Sequence, residues 1–175
     1  HGFHDTEYCL KQQRVLQALM QVPDILVTIK LHPKDAVVNP LGRWVRQLGD
    51  PRVQVLEGQR LPEALRSADL VVLDCPTTTL LEVMAAAVPL VYLHLGILRW
   101  TPEGEALMRR TAPWVEHTDG WEECLGQVVA ETLKSQAPEP AANPFLNAYA
   151  SLDFRPELLW EKLGEVRRQL VGEAS

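Results

Sequence analysis

The chain has 175 residues, enough for one domain with a real core, and its 46% hydrophobic and 23% charged content is ordinary for a globular protein. Seventeen Lys and Arg against 23 Asp and Glu give a net charge of −6, which argues against broad binding to nucleic acid or an anionic membrane but leaves room for a small local anion site. The three cysteines, Cys9, Cys75 and Cys124, are widely spaced with no CxxC pair, a count more typical of a reducing compartment than of a disulfide scaffold, and no apolar run reaches the roughly 18 residues of a membrane span.

Residues 8–21, YCLKQQRVLQALMQ, carry Cys9, Leu10, Val15, Leu16, Leu19 and Met20 at helical spacing, and the helix is expected to stop before Pro23. ILVTIKLH, 25–32, is continuous and β-branched, as a strand covered on both faces should be. NPLGRWVRQL, 39–48, predicts a helix, and VQVLE, 53–57, a short strand ending at Gly58. LPEALRSA, 61–68, has Pro62 near a helix start, where its missing N–H costs nothing. A strand over 70–74, an alanine-rich helix over 78–87 and a strand over 89–95 follow.

That alternation of helix and strand predicts βαβ units, a parallel sheet and right-handed crossovers. Beyond it, a helix over 101–111, an edge strand over 114–118 and an amphipathic helix over 120–135 are expected. A Pro/Ala connector over 136–144 leads to a closing helix over 155–171, and no internal repeat is visible. The fold class is α/β: a Rossmann-like three-layer domain with a mostly parallel sheet and helices on both faces. A parallel unit should open with a strand, yet the first ten residues hold no strand pattern. The opening residue is His1 and no signal peptide is visible. The chain therefore reads as one domain, 1–175, cut from a longer protein, with residues 136–175 as connector and closing helix.

Ligands of open parallel sheets bind beyond the carboxyl ends of the strands, and the polar residues of interest fall there. Thr77 or Thr78 stands at the N-cap of the 78–87 helix, where a hydroxyl stabilises a helix by about 1 kcal/mol. Thr79 and Glu82 fit a capping pattern, although Glu82 then lies inside the helix. Capping accounts for one or two threonines and leaves a third. A helix N-terminus presents unpaired N–H groups and partial positive charge, so adjacent hydroxyls would help it hold a diphosphate. Glu82, one turn further on, sits on the same face and suits the hydroxyls of a ribose.

The second strand end is KLHPKD, residues 30–35. Lys30 and His32 share a face by the two-residue period of a strand, and Pro33 makes the turn rigid. An ammonium and an imidazole so held form a plausible phosphate clamp. Gly58, Asp74, His94 and Gly96 end other strands and are candidates for a supporting shell; a structural role suits Asp74 better than catalysis. His1, His4 and Asp5 match no closed metal site.

IKLHPKD followed by LRSADLVVLDCPTTTLLEVMAAAVPLVYL, residues 29–35 and 65–93, resembles the C-terminal nucleotide-binding half of GT-B glycosyltransferases. The nearest group has an HP motif and includes capsule Kdo and sialic-acid transferases and CDP-glycerol glycerophosphotransferases; UDP-N-acetylglucosamine 2-epimerases share the fold. The resemblance spans about residues 25–95. It implies that His32 contacts a donor phosphate, that Thr77 and Thr78 replace paired serines at the diphosphate, and that Glu82 holds the ribose. It further implies a metal-independent transferase lobe without a cofactor, taking a CMP- or CDP-type donor in preference to a UDP-type one. The partners it implies are the donor, a glycan acceptor of surface polysaccharide or capsule synthesis, and an N-terminal domain of the same cytoplasmic protein. That domain normally supplies the catalytic base, so no catalytic residue is assigned and the lobe alone is expected to be inactive. Any peripheral membrane association would come from other parts of the protein. An epimerase-like enzyme and a non-catalytic nucleotide-binding or interaction module are the alternatives.

Overall fold

The structure, a computed structural model, describes residues 5–31, 40–136 and 139–150; His32, Pro33 and the predicted helix over 155–171 lie outside them. The described elements alternate as the sequence predicts, and every strand pairing is parallel. Strand β1 (Val27–Lys30) pairs with β2 (Val53–Leu56), Val27 opposite Val53 and Lys30 opposite Leu56. Strand β3 (Val71–Leu73) pairs with β4 (Leu90–His94), and β4 with β5 (Trp114–Glu116), so that Tyr92 lies opposite both Leu73 and Trp114. The one expected sheet is thus described as two, of two and three strands. Among the described residues strand β5 is an edge, as expected.

Helix α1 (Asp5–Leu19) begins three residues earlier than its apolar spacing suggests and ends before Pro23, with Asp24 at φ +57°. Its Val15, Leu16, Ala18 and Leu19 are buried. Helix α2 (Pro40–Leu48) buries Leu41 and Val45, one turn apart. Helix α6 (Trp121–Thr132) buries Trp121, Leu125 and Val129 at four-residue spacing. These three helices share one core with β1, β2, Val91, Leu93 and Val115. Arg14 of α1 forms an ion pair with Glu122 of α6 at the rim of that contact.

The other face of the three-stranded sheet carries α3 (Leu61–Leu65), α4 (Thr78–Ala85), α5 (Pro102–Thr111) and α7 (Pro144–Tyr149). Their Leu65, Leu80, Val83, Met84, Met108, Phe145 and Leu146 form a second core with Leu90 and Tyr92. Strand β4 shows why both cores exist. Its alternate side chains enter opposite clusters, and Leu90 through Leu93 are at most 6% exposed. Burial of each such side chain is worth about 1.5–3 kcal/mol.

Two further expectations change. Strand β1 is covered on one face only among the described residues: Thr28 is exposed and accepts a hydrogen bond from Gln54 Nε2 at 3.1 Å. The cause is that α1 and α2 both pack on the same face, while α3 joins the other core. The stretch read as a Pro/Ala connector ends in structure. After a 3-10 turn over Pro140–Ala142, the buried Asn143 Oδ1 accepts from the N–H groups of Phe145 and Leu146, and Pro144 follows at the first helical position. The cap starts α7, and Phe145 and Leu146 close the second core.

Candidate functional site

Helix α1 fixes the relative direction of the two sheets. Near its start, Tyr8 donates its hydroxyl to Asp74 Oδ2 at 2.8 Å, just past the carboxyl end of β3. Past its end, the Met20 carbonyl accepts from Arg52 Nη1 at 3.1 Å, just before β2. Both sheets therefore point the same way, and Lys30 and Thr77 lie on the same, carboxyl side of the molecule.

At that edge the turn 74–77 leads from β3 into α4. Thr77 is the N-cap, in extended conformation, and its side chain makes no cap hydrogen bond. Its carbonyl accepts from Leu80 N–H at 2.9 Å, which starts the helix without the hydroxyl. Thr78 is the first helical residue and Thr79 the second, so Thr79 and Glu82 are not a capping box; both lie inside α4. Thr77, Thr78 and Glu82 are exposed and Thr79 half-buried. Among the described residues the Thr77 and Thr78 hydroxyls and the Glu82 carboxylate have no hydrogen-bond partner. The first amides of α4 have no partner within the helix by its geometry. Two free hydroxyls, free N–H groups and the positive helix end thus converge, with a carboxylate one turn on. Glu82 borders a shallow depression of about 340 Å³ between α3 and α4, shared with Pro62, Leu65 and Arg66.

Asp74, one of the candidate supporting residues, turns to α1. Besides Tyr8 it accepts from Gln12 Nε2 at 3.3 Å. Burial, and then the negative Asp74 beside it, pushes the Tyr8 phenol far above its usual value. Burial and the same carboxylate also raise the Cys75 thiol. Asp74 thus anchors the start of α1 to the end of β3, a structural task.

Lys30 ends β1, half-buried, with its ammonium 3.3 Å from the Leu31 carbonyl. Among the described residues no hydrogen bond or ion pair joins it to the α4 start. His32 and Pro33 lie outside the described residues. Gly58 and Gly96 follow their strands at φ +71° and +73°, a backbone conformation that favours glycine, which accounts for both without a ligand.

His94, the last residue of β4, belongs to a polar and aromatic cluster. Its ring lies 5.0 Å from that of Trp114, and its Nε2 is 3.8 Å from Glu116 Oε1. Glu116 accepts from Trp114 Nε1 and from Arg109 Nη2, both at 2.7 Å. Partial burial acts to raise the Glu116 carboxyl, but those hydrogen bonds outweigh it and hold the group below its usual value. The Arg109 guanidinium also lies 4.4 Å from the Trp114 ring centre. Tyr92, burial-shifted to about 12, accepts from Trp100 Nε1 at 3.2 Å. Sequence reasoning saw His94 but missed Glu116, Arg109 and the Tyr8–Gln12–Asp74 set. Arg109 and Glu116 are seven residues apart in the chain and Tyr8 and Asp74 are 66 apart, and no short motif joins them.

Two more features lie away from the threonines. A cavity of about 230 Å³ opens at the amino edge, lined by Met84, Pro89, Pro113, Thr132, Ser135 and Asn143. Its lining is largely apolar and sits at the wrong end of the strands for a parallel-sheet ligand site. Beyond β5, His117 Nε2 and Trp121 Nε1 are buried with no partner among the described residues. Burial, then the nearby Lys11 and Arg14, pushes the His117 imidazole below its usual value. Among the described residues no group of three His, Cys, Asp or Glu could hold a metal ion, and no helix is long and apolar enough to cross a membrane.

Comparison with protein-family models, with curated proteins and with solved structures gives no match to this chain.

Proposed function

We propose that the chain forms the nucleotide-binding lobe of a GT-B-like glycosyl- or glycerophosphotransferase. The donor is a nucleotide-activated sugar or CDP-glycerol, with CMP- and CDP-type nucleotides preferred. The observation that carries the proposal is the start of α4, where Thr77 caps the helix without using its hydroxyl and Thr78 and Glu82 stand exposed beside it. A diphosphate set against that end receives N–H and O–H donors and meets the positive end of the helix. The same donors stabilise the negative charge that grows on the leaving phosphate during transfer. Glu82 accepts from the ribose hydroxyls, and Lys30 and His32 supply positive charge and a donor from the other strand end. A second, N-terminal lobe brings acceptor and catalytic base, and the reaction belongs to glycan synthesis in the cytoplasm.

Calorimetric titration with CMP, CDP, UDP and GDP tests the reading. CDP or CMP is expected to bind more tightly than the other two. Replacing Thr77 and Thr78 together by Val keeps their shape, removes both hydroxyls and should weaken binding at least about tenfold, the effect of losing one or two hydrogen bonds to a charged group. Glu82→Ala should weaken nucleotide binding but leave inorganic pyrophosphate unaffected. Absence of any binding below the millimolar range, or full affinity in the double Val variant, rules the site out.

A further inference from the structure

Three helices end together at the amino edge of the larger sheet. Helices α4, α5 and α6 each follow one of its parallel strands and run back along it. Met84, Ala112 and Thr132, at or beside the last residues of these helices, line one cavity of about 230 Å³. Pro89 and Leu90 at the start of β4, and Asn143 at the start of α7, belong to the same wall. A dry cavity of about 150 Å³ takes a benzene ring, so this one has room for a ring with one small substituent. Among the described residues its lining is largely apolar and holds no charged side chain.

The polar groups in the wall are few and of two kinds. Asn143 is 2% exposed, and its Oδ1 accepts from the N–H groups of Phe145 and Leu146 at 3.0 and 3.1 Å. Those two donors fix which way the amide is turned. Its Nδ2 has no hydrogen-bond partner among the described residues. The sealed side-chain atoms without a partner there are His117 Nε2 and Trp121 Nε1, so Asn143 Nδ2 is not sealed and meets open space. The open space that Asn143 borders is the cavity. Thr111 and Thr132 behave differently. Each hydroxyl donates its proton to a carbonyl of its own helix, Leu107 at 2.9 Å and Val128 at 2.7 Å, and only lone pairs remain for a ligand. The three helix ends add unpaired carbonyls and partial negative charge. An anion meets the wrong end of those dipoles. A cation loses its water with no carboxylate to pair with.

We infer that the amino-edge cavity is a binding site for a small neutral molecule carrying a carboxamide on a single apolar ring. The ligand carbonyl accepts from Asn143 Nδ2, and its N–H donates to a threonine hydroxyl oxygen or a helix-end carbonyl. The ring lies against Met84, Leu90 and Ala112. A mainly apolar pocket with a few converging polar groups is the usual form of a small-molecule site. It lies at the opposite end of the strands from the α4 threonines and stands whether or not a nucleotide binds there.

Benzamide is the probe. It is titrated into the 175-residue chain and followed by NMR through the methyl groups of Met84, Leu90 and Ala112 and the side-chain amide of Asn143. Saturable shifts at those residues are expected, with a Kd below about 1 mM, the range open to so small a ligand. Benzoate, benzylammonium and toluene keep the ring and replace the amide by a negative charge, a positive charge or a methyl group. Each should bind at least about tenfold more weakly. Asn143→Asp keeps the cap of α7, since aspartate caps as well as asparagine, but removes the donor and should weaken benzamide at least about tenfold. Ala112→Leu fills the cavity and should abolish the shifts while the remaining spectrum stays folded. Absence of shifts up to about 10 mM benzamide, or shifts confined to other residues, overturns the inference. Benzoate or benzylammonium bound as tightly as benzamide overturns the neutral class, and toluene bound as tightly overturns the amide. Full affinity in a folded Asn143→Asp variant removes the assigned donor and overturns the inference as well. Should that variant not fold, Ala112→Leu decides alone: undiminished binding there puts the ligand elsewhere.

Discussion

Tyr8→Phe isolates the contact that ties α1 to the end of β3. The change removes one hydroxyl and keeps the ring, so it opens no cavity. A hydrogen bond to a charged acceptor contributes about 1.5–3 kcal/mol. Asp74 is half-buried and keeps Gln12, so the lower end applies, and the expected loss is about 1.5 kcal/mol. For a chain of this length that corresponds to a fall in Tm of about 3–6 °C. The pH dependence gives a second reading. Burial and Asp74 raise the Tyr8 phenol in the folded state, so from about pH 10, where an unfolded tyrosine ionises, the folded state holds the extra proton. The contribution of Tyr8 is fully present below that pH and falls as pH rises, by at most about 1.4 kcal/mol per unit. The gap between wild type and Tyr8→Phe should thus be flat from pH 7 to 9 and shrink above 10. Tyr92 and the basic residues titrate in both proteins and cancel from the difference. Urea unfolding followed by tryptophan fluorescence measures the gap, and a cycle with Asp74→Asn should show a coupling of about 1 kcal/mol. Equal stability of the two proteins at pH 7.5, or a gap that persists unchanged to pH 11, would refute the reasoning.

Two further perturbations address the cores. His117→Gln should flatten the acid limb of stability: burial and the cations Lys11 and Arg14 lower the imidazole in the folded state, while Glu122 opposes them. The unfolded state then binds the extra proton, so wild-type stability falls as pH drops below about 6.5, and urea midpoints between pH 5 and 7.5 should show a weaker slope in the variant. Leu146→Ala removes a fully buried side chain of α7 and should cost about 2–5 kcal/mol, read as a lower Tm in one cooperative transition. An unchanged Tm would mean that α7 does not belong to the core.

The alternation of elements was legible because its signals are local. Continuous apolar runs such as LVVLD and PLVYLHL mark strands, and a helix reveals itself through spacing such as Trp121, Leu125 and Val129. The helix α7 was not legible, since Pro140 and Pro144 look like breaks in a linker. Only the Asn143 cap and the space left for Phe145 turn the second proline into a start. Of the candidate site, the threonines at the head of α4 were visible because strand, turn and helix follow one another directly. That the Thr77 hydroxyl takes no part in the cap was not visible, since it depends on backbone angles at a single turn.

The sequence by itself determined an α/β chain with parallel strands, because hydrophobic period and order of elements are properties of neighbouring residues. It also placed the hydroxyls and Glu82 at one helix end. Only the tertiary structure decided that Asp74 faces α1, that His94 joins Glu116 and Trp114, and that the strands among the described residues divide between β1 and β3. Those outcomes depend on which helix covers which face of a sheet, and such choices bring together residues that the chain keeps far apart.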